Sequence, residues 1–366
     1  MEIKDTISSL VKAFGIPGEI RYIDTVRVGH INGTYSVTMD DGRIYFVQRL
    51  NTYVFKQPHE IMENIAGVTA HISKKLEELG KSRDGVMHFL ARDNGQNYYE
   101  SEEEGFWRIS EGVPNALTIC EVQEASVLRA AGKGFGRFQN LLADYDASTL
   151  HETIKDFHNT AKRIDTFNAH VAEDPLGRVK EAEYEIAKIR ELTPLATKLG
   201  QMLAAGELPL RVTHNDTKIN NIIFDKDTKV AKTVIDLDTV MPGLVAYDFG
   251  DAIRYAANTA REDEPNLSKV GLNIEYYRAF AKGFIGELRS TLTQNELDTL
   301  ALGAFTMTLE LVVRFLDDYL VGDKYFKTAY PGHNLVRARC QLRLAEDMVK
   351  RMDVMNEIVR EIASAG

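Results

Sequence analysis

The sequence predicts an α+β fold in two unequal parts, a small antiparallel-sheet unit with one long helix and a larger, mainly helical unit. Three observations carry this expectation. At 366 residues the chain is longer than one hydrophobic core usually fills. Alternating and β-branched segments dominate up to about residue 110, and helical periods dominate the remainder, apart from one compact island of strand-like segments between about 211 and 240. The change of pattern at Glu111-Gly112-Val113-Pro114-Asn115 sets the expected units at 1–110 and 111–366, sharing a cleft.

In chain order, a short amphipathic opening precedes residues 23–29, rich in β-branched side chains, and residues 34–39, which alternate. Asp41-Gly42 is a hairpin turn into residues 44–50, completing an antiparallel meander. From 57 to 79, Ile61, Ile65, Val68, Ile72, Leu76 and Leu79 recur every three or four positions, a helix stopped by Gly80. Residues 88–91 and 105–109 are expected strands, with a polar turn at Arg92-Asp93-Asn94-Gly95 and the acidic run Glu102-Glu103-Glu104 at an exposed hairpin tip. In the island, residues 212–213, 222–225 and 230–237 read as three short strands. The run Gly132-Lys133-Gly134-Phe135-Gly136 lacks the spacing and the terminal Lys-Ser/Thr pair of a phosphate loop, and reads as a place where helices pack closely.

Hydrophobic residues make up 44% and charged residues 27%, with 9 Pro, which excludes a largely disordered chain. Lys and Arg total 44 against 54 Asp and Glu, and the net charge of -10 argues against nucleic acid or anionic membrane as partners. A phosphorylated ligand would need a local site or a metal. Two cysteines, Cys120 and Cys340, suffice neither for a disulfide framework nor for a structural zinc site, and both are expected to be packing residues of a reduced, cytoplasmic protein. The first residues include early acids and no apolar signal-peptide region. The most apolar stretch, 301–313, is interrupted by Thr306, Thr308 and Glu310 and is expected to be too short to cross a bilayer.

Chemistry concentrates in His214-Asn215-Asp216-Thr217-Lys218-Ile219-Asn220-Asn221, followed by Ile235-Asp236-Leu237-Asp238. A carboxylate, a cation two residues on, an amide five residues on and a second carboxylate near the following strands are the parts phosphoryl transfer requires. One group orients the attacking hydroxyl and takes its proton, a cation steadies the phosphoryl oxygens, and oxygen ligands hold Mg²⁺. An Asn/Asp turn cluster would supply one or two such residues by chance, but five positions match here.

These residues match the protein-kinase pattern H-x-D-x-K-x-x-N. Together with Tyr247-Asp248-Phe249-Gly250-Asp251, the chain resembles the aminoglycoside phosphotransferase and choline kinase family of small-molecule kinases along its whole length. Segments 212–221 and 234–243 look most like N-acetylhexosamine 1-kinases. The resemblance implies a two-lobed protein-kinase-like fold and an ATP- and Mg²⁺-dependent transfer to the anomeric hydroxyl of GlcNAc or GalNAc. A choline, ethanolamine or aminoglycoside kinase, or a nucleotide-binding pseudokinase, are the alternatives. By the same resemblance Asp216 is the catalytic base or orienting group, Lys218 lies near the γ-phosphate, Asn221 and Asp236 ligate the metal, and Asp238 is a metal ligand or supports one. Asp248-Phe249-Gly250 spells the kinase metal tripeptide, but stands too far from Asp216. Asp248 is expected to brace the loop through helix-capping chemistry, and His214 to hydrogen-bond its backbone.

On the nucleotide side, Gly29, Asn32, Gly33 and Thr34 resemble a phosphate-covering loop. The usual third-strand lysine is absent. Gln48 or Arg49 stands in its place, on opposite faces of the strand, and neither Glu60 nor Glu63 is assignable as a partner. Residues 107–111 are the expected hinge, with Arg108 counted among the nucleotide residues, although Trp107 reads equally well as core. For the sugar, His30, Arg314 and Tyr325 join Asp216, with a surface ion pair to Asp317 or Asp318 an equal reading of Arg314. Residues 157–160 also fit the family pattern. The expected partners are ATP and a small sugar, with no nucleic acid and no membrane, in a monomer or weak homodimer.

Overall fold

A computed structural model describes residues 3–26 and 32–365. Helix α1 (Ile3–Ala13) leads into β1 (Ile20–Val26), β2 (Gly33–Met39) and β3 (Ile44–Arg49), then α2 (Pro58–Glu78), β4 (Tyr99–Ser101) and β5 (Gly105–Glu111). The five strands form one antiparallel sheet in the order β1-β2-β3-β5-β4. The α2 helix begins with Pro58 in its first turn and buries Ile61, Ile65, Val68, Ile72 and Leu76, the stripe read from the sequence. The acidic run 102–104 is the turn between β4 and β5.

Residues 88–91 depart from expectation. They form only an isolated bridge, Phe89 to Ser110, with backbone bonds from Leu90 N–H to Ile109 O (2.9 Å) and Glu111 N–H to His88 O (2.9 Å). The polar turn at 92–96 breaks the chain away, so this segment flanks one half of β5 and β4 flanks the other. Residues 107–111 are therefore no open hinge. They are paired to β3 on one side and to β4 or residue 89 on the other, so they form an interior strand of the sheet. The indole of Trp107 is core, 1% exposed.

Strand alternation divides the sheet's side chains between two faces. Val37, Met39, Tyr45, Val47, Trp107 and Ile109 pack with Ile7, Leu10 and Val11 of α1, and with Phe14 just beyond it, in a core of their own. Gln48 and Arg108 occupy the other face. The α2 stripe lies in the larger core shared with the helices that follow, so the hydrophobic interior does not divide at residue 110.

Beyond β5 come β6 (Ala116–Thr118), α3 (Ala125–Leu141), α4 (Thr160–Glu173), α5 (Glu183–Ala196) and α6 (Lys198–Ala204). The island follows as β7 (Arg211–Thr213), β8 (Ile222–Asp225), β9 (Ala231–Val234) and β10 (Met241–Gly243). It is two small sheets rather than one, β6-β8-β9 and β10-β7, and β9 stops at Val234 so that residues 235–238 form a turn. Three-residue strands such as β6 and β10 are too short to show a period in sequence. The chain closes with α7 (Val245–Ala256), α8 (Ile274–Leu288), α9 (Gln294–Val321), α10 (His333–Lys350) and α11 (Met352–Ser364).

The glycine run does serve helix packing. A Cβ on Gly132 would stand 2.2 Å from the Phe280 carbonyl oxygen, and one on Gly283 would stand 2.1 Å from that of Arg129, so α3 and α8 touch backbone to backbone. The apolar stretch at 301–313 belongs to a 28-residue helix, α9, long and apolar enough to span a bilayer. Its faces are covered by α4, α5, α7, α10 and α11, which makes it the central core helix. Cys340 is buried as expected, but Cys120 is exposed, because it follows β6 in a surface loop.

Candidate active site

The loop between β7 and β8 is held in shape mainly through its backbone. Asn215 adopts a left-handed conformation (φ 63°), which an Asn side chain tolerates. Asp248 accepts the N–H groups of His214 (2.9 Å) and Asn215 (2.7 Å) and the Gln139 amide (2.6 Å). Burial raises its carboxyl above the ordinary value, against the opposing pull of His214 and these N–H donors. Asp248 is not the cap of α7. That position is Leu244, and Asp248 lies in the first turn, with both carboxylate oxygens turned to the loop. Thr217 donates to the Asp248 carbonyl (2.6 Å) and Thr239 to the His214 carbonyl (2.7 Å). The His214 ring lies 2.8 Å by Nε2 from the Ile235 carbonyl and accepts the Asp216 N–H at Nδ1 (3.2 Å), which sets the tautomer with the proton on Nε2.

On this scaffold Asp216 Oδ1 meets Lys218 Nζ at 2.8 Å, and Oδ2 accepts from Asn221 Nδ2 at 3.2 Å. Loss of water favours the neutral acid, but the charge and hydrogen bond of Lys218 outweigh it, and Asp216 is held below the usual carboxylate range. The same pair raises the Lys218 ammonium, so both groups are ionised. Asn221 also donates to the Asp216 carbonyl (2.8 Å), which leaves its Oδ1 uncommitted among the described residues.

Asp236 has no hydrogen-bond or ion-pair partner among the described residues, sits at φ 61° and is reachable by solvent. Desolvation, with Asp238 and Asp216 nearby, pushes its carboxyl up to about 6. An uncompensated acid among other acids is where a divalent cation gains most, and Asn221 and Asp236 offer oxygens of the type Mg²⁺ prefers. Among the described residues no three His, Cys, Asp or Glu side chains cluster as a complete metal site. An ion here would complete its shell with phosphate oxygens and water, as Mg²⁺ commonly does.

Asp238 is placed differently from Asp236. It is 2% exposed and both its oxygens are taken, Oδ1 by the Arg108 guanidinium and Oδ2 by Asn32 Nδ2 (2.6 Å). Each oxygen thus already accepts from a protein donor, which fits the supporting alternative read from the sequence. Asn32 in turn accepts the Asn51 N–H (3.0 Å). Thr34, Gln48 and Arg108 are direct register partners across β2, β3 and β5. They are joined by Gln48 Nε2 to Thr34 Oγ1 (3.2 Å) and Arg108 Nε to Gln48 Oε1 (3.0 Å). Gln48 is thus the cleft-facing residue of the third strand, whereas Arg49 lies on the α1 face over Trp107 at 5.9 Å. Gly33 opens β2; Gly29 and His30 fall outside the described residues. On α2, Glu63 pairs with His151 (2.8 Å), and the side chain presented to Arg108 is Met62, its Sδ 3.9 Å from Nη1.

In the helical part, the Arg314 guanidinium lies over the rings of Phe157 (5.5 Å), Tyr325 (5.8 Å) and Phe326 (5.5 Å). The surface ion pair considered for it does not form. Asp317 pairs with His170 (2.7 Å), and Asp318 accepts the backbone N–H groups of Lys324, Tyr325 and Phe326. Tyr325 is 63% exposed. Sequence reading missed a buried set behind Arg314. Glu310, 1% exposed, meets His158 Nδ1 (2.9 Å) and the Thr160 hydroxyl (2.7 Å), while His158 Nε2 reaches the Asn215 carbonyl (3.3 Å). The available signal was an acid in the middle of an apolar helix, an arrangement that requires a buried partner.

A family model described as "Phosphotransferase enzyme family" (APH) matches residues 25–282. Similar solved structures include an aminoglycoside phosphotransferase from Alicyclobacillus acidocaldarius (TM-score 0.67, 11% identity, 97% of this chain and 96% of that one). An amicoumacin kinase in complex with AMP-PNP, Ca²⁺ and Ami gives a TM-score of 0.57 at 15% identity, over 94% of this chain and 93% of that one. A choline kinase from Cryptosporidium parvum Iowa II gives 0.58 at 13% identity, over 96% and 97%. At these identities the likeness is one of fold.

Proposed function

The chain belongs to the phosphotransferase enzyme family, and on that premise we propose that it is an ATP- and Mg²⁺-dependent sugar kinase acting on the anomeric hydroxyl of an N-acetylhexosamine. The observation that carries the reading is the pairing of an ionised Asp216, fixed by Lys218 and Asn221, with a nearby Asp236 that has no partner among the described residues. In this reading residues 1–110 cover the nucleotide, and 111–366 carry catalysis and the acceptor.

Asp216 accepts a hydrogen bond from the attacking hydroxyl, holds it in line and takes its proton as the oxygen–phosphorus bond forms and the bond from the γ-phosphorus to the departing ADP oxygen breaks. An anomeric hydroxyl suits a carboxylate of low basicity, being the most acidic hydroxyl of a sugar. Lys218, already at 2.8 Å from Asp216, offers its remaining donors to phosphoryl oxygens. Mg²⁺ held by Asn221 and Asp236 would supply positive charge at the phosphates. The rigid loop keeps these groups placed without reorganisation, the main source of rate in this chemistry.

The acceptor class is supported by Arg314. Its guanidinium packs on three rings and has no hydrogen-bond or ion-pair partner among the described residues, so its donors suit a hydroxyl or acetamido oxygen. A quaternary ammonium or polycationic acceptor would meet a like charge there. ADP release with Mg·ATP should be measured against GlcNAc, GalNAc, choline, ethanolamine and an aminoglycoside. Turnover confined to the acetylated hexosamines is expected; folded protein that turns over neither removes the sugar reading. Asp216→Asn should lower turnover by about 1,000-fold or more while Mg·ATP affinity stays within about threefold of the parent, as measured by calorimetry.

A further inference from the structure

The usual kinase arrangement places a phosphate-facing lysine on the third strand and pairs it with a carboxylate on the following helix. Neither partner is present here: the third strand carries Gln48 toward the cleft, and α2 presents Met62. A basic side chain stands one strand over. Arg108 is the direct register partner of Gln48, is hydrogen-bonded to it at 3.0 Å, and has Asp238 as its counter-ion. Asp238 also holds Asn32, next to the segment expected to cover the phosphates. Two guanidinium nitrogens are engaged by Gln48 and Asp238, while Nη2 has no hydrogen-bond partner among the described residues and is the one edge of an otherwise buried side chain left for a ligand.

We propose that Arg108 replaces the missing lysine. It supplies the nucleotide-facing positive charge from β5, aligned by Gln48, with Asp238 taking the place of the helix carboxylate as the group that fixes it. Because Asp238 stands two residues from Asp236, the pair also ties the sheet to the turn that carries the metal-site acid. The wedge of Met62 against Nη1 explains why no α2 carboxylate is needed: an acid there would compete with Asp238 for the same cation.

This inference rests on the ATP-dependent reading above, and the test separates the two. The full chain is compared with Arg108→Gln, Arg108→Lys and the double variant Gln48→Lys/Arg108→Gln, measuring ADP release against Mg·ATP and against acceptor, with thermal midpoints as the folding control. Arg108→Gln should lose about 100-fold in kcat/KM for Mg·ATP with acceptor KM within about threefold, and the double variant, which returns a cation to the third strand, should regain about tenfold. A folded Arg108→Gln within about threefold of the parent for Mg·ATP, or a double variant that gains nothing, overturns the proposal. Should Arg108→Gln not fold, Arg108→Lys decides in the same way: a raised KM for Mg·ATP with acceptor KM kept supports the proposal, and an unchanged one overturns it. A parent that turns over no acceptor overturns the kinase reading instead. Calorimetric Mg·ATP affinity then decides for Arg108 alone: weaker binding by Arg108→Gln than by the parent supports its role, and equal binding overturns it.

Discussion

Asp238 and Glu310 are two buried carboxylates on either side of the loop 214–221, and they are held in different ways. Asp238 is held by Arg108 of β5 and by Asn32, the residue just before β2. Glu310 is held by His158 and Thr160, at and just before the start of α4, with Arg163 3.6 Å away, all within the helical part. Its carboxyl stays below its ordinary value because the charges of His158, Arg163 and Arg314 outweigh the burial that would raise it. The first arrangement ties two parts of the molecule that a nucleotide would bring together. The second ties the loop 214–221, through His158 and the Asn215 carbonyl, to the central helix. A similar chemical motif thus couples in one place and clamps in the other.

That contrast breaks most readily at Glu310. Glu310→Ala should cost about 3–5 kcal/mol in urea unfolding, because it strands His158 and Thr160 in a dry interior. The Mg·ATP affinity of the fraction that folds should stay near the parent's; a large loss of affinity would mean that Glu310 couples as Asp238 does. The pH dependence runs accordingly. A depressed carboxyl stabilises fully above its unfolded pKa and loses that contribution as the pH falls through the folded one, so the stability gap between parent and Glu310→Gln should narrow as the solution is acidified below the ordinary glutamate range. A gap that widened would reverse the assignment of charge.

Smaller effects sharpen the picture. Asp248→Ala leaves the N–H groups of His214 and Asn215 without acceptors, and about 2–3 kcal/mol of stability should be lost together with turnover. Loss of turnover with an unchanged urea midpoint would instead assign Asp248 a direct part in the chemistry. Arg314→Ala should be the mildest, raising acceptor KM about tenfold with ATP KM and the unfolding midpoint unchanged. Equal effects on both substrates would remove Arg314 from the acceptor side.

Much of the loop was legible because its residues are contiguous. His214, Asp216, Lys218 and Asn221 lie within eight positions, and a short loop between strands leaves them little choice but to converge. The braces at Asp248 and the packing of Gly132 against α8 were also readable, the one from the order of motifs and the other from a glycine run without phosphate-loop spacing. Of the two readings of Trp107 the core one holds, and the expected hinge at 107–111 is a central strand; both share the same alternating pattern, and only pairing distinguishes them. Glu310 was noticed as an interruption but not as a participant, since its partners lie about 150 residues away.

By itself the sequence determined the two-part α+β architecture, the loop 214–221 with its ordered carboxylates, and the family. These are set by local periodicity and by close spacing, which a chain carries wherever it folds. Only the tertiary structure decided that Gln48 rather than Arg49 faces the cleft, that Asp238 is occupied while Asp236 is not, and that Arg108 stands opposite the vacant lysine position. Those facts depend on strand register and on contacts between residues such as Arg108 and Asp238, 130 positions apart. No local pattern encodes such a meeting; it follows from the burial that brings sheet and helices together.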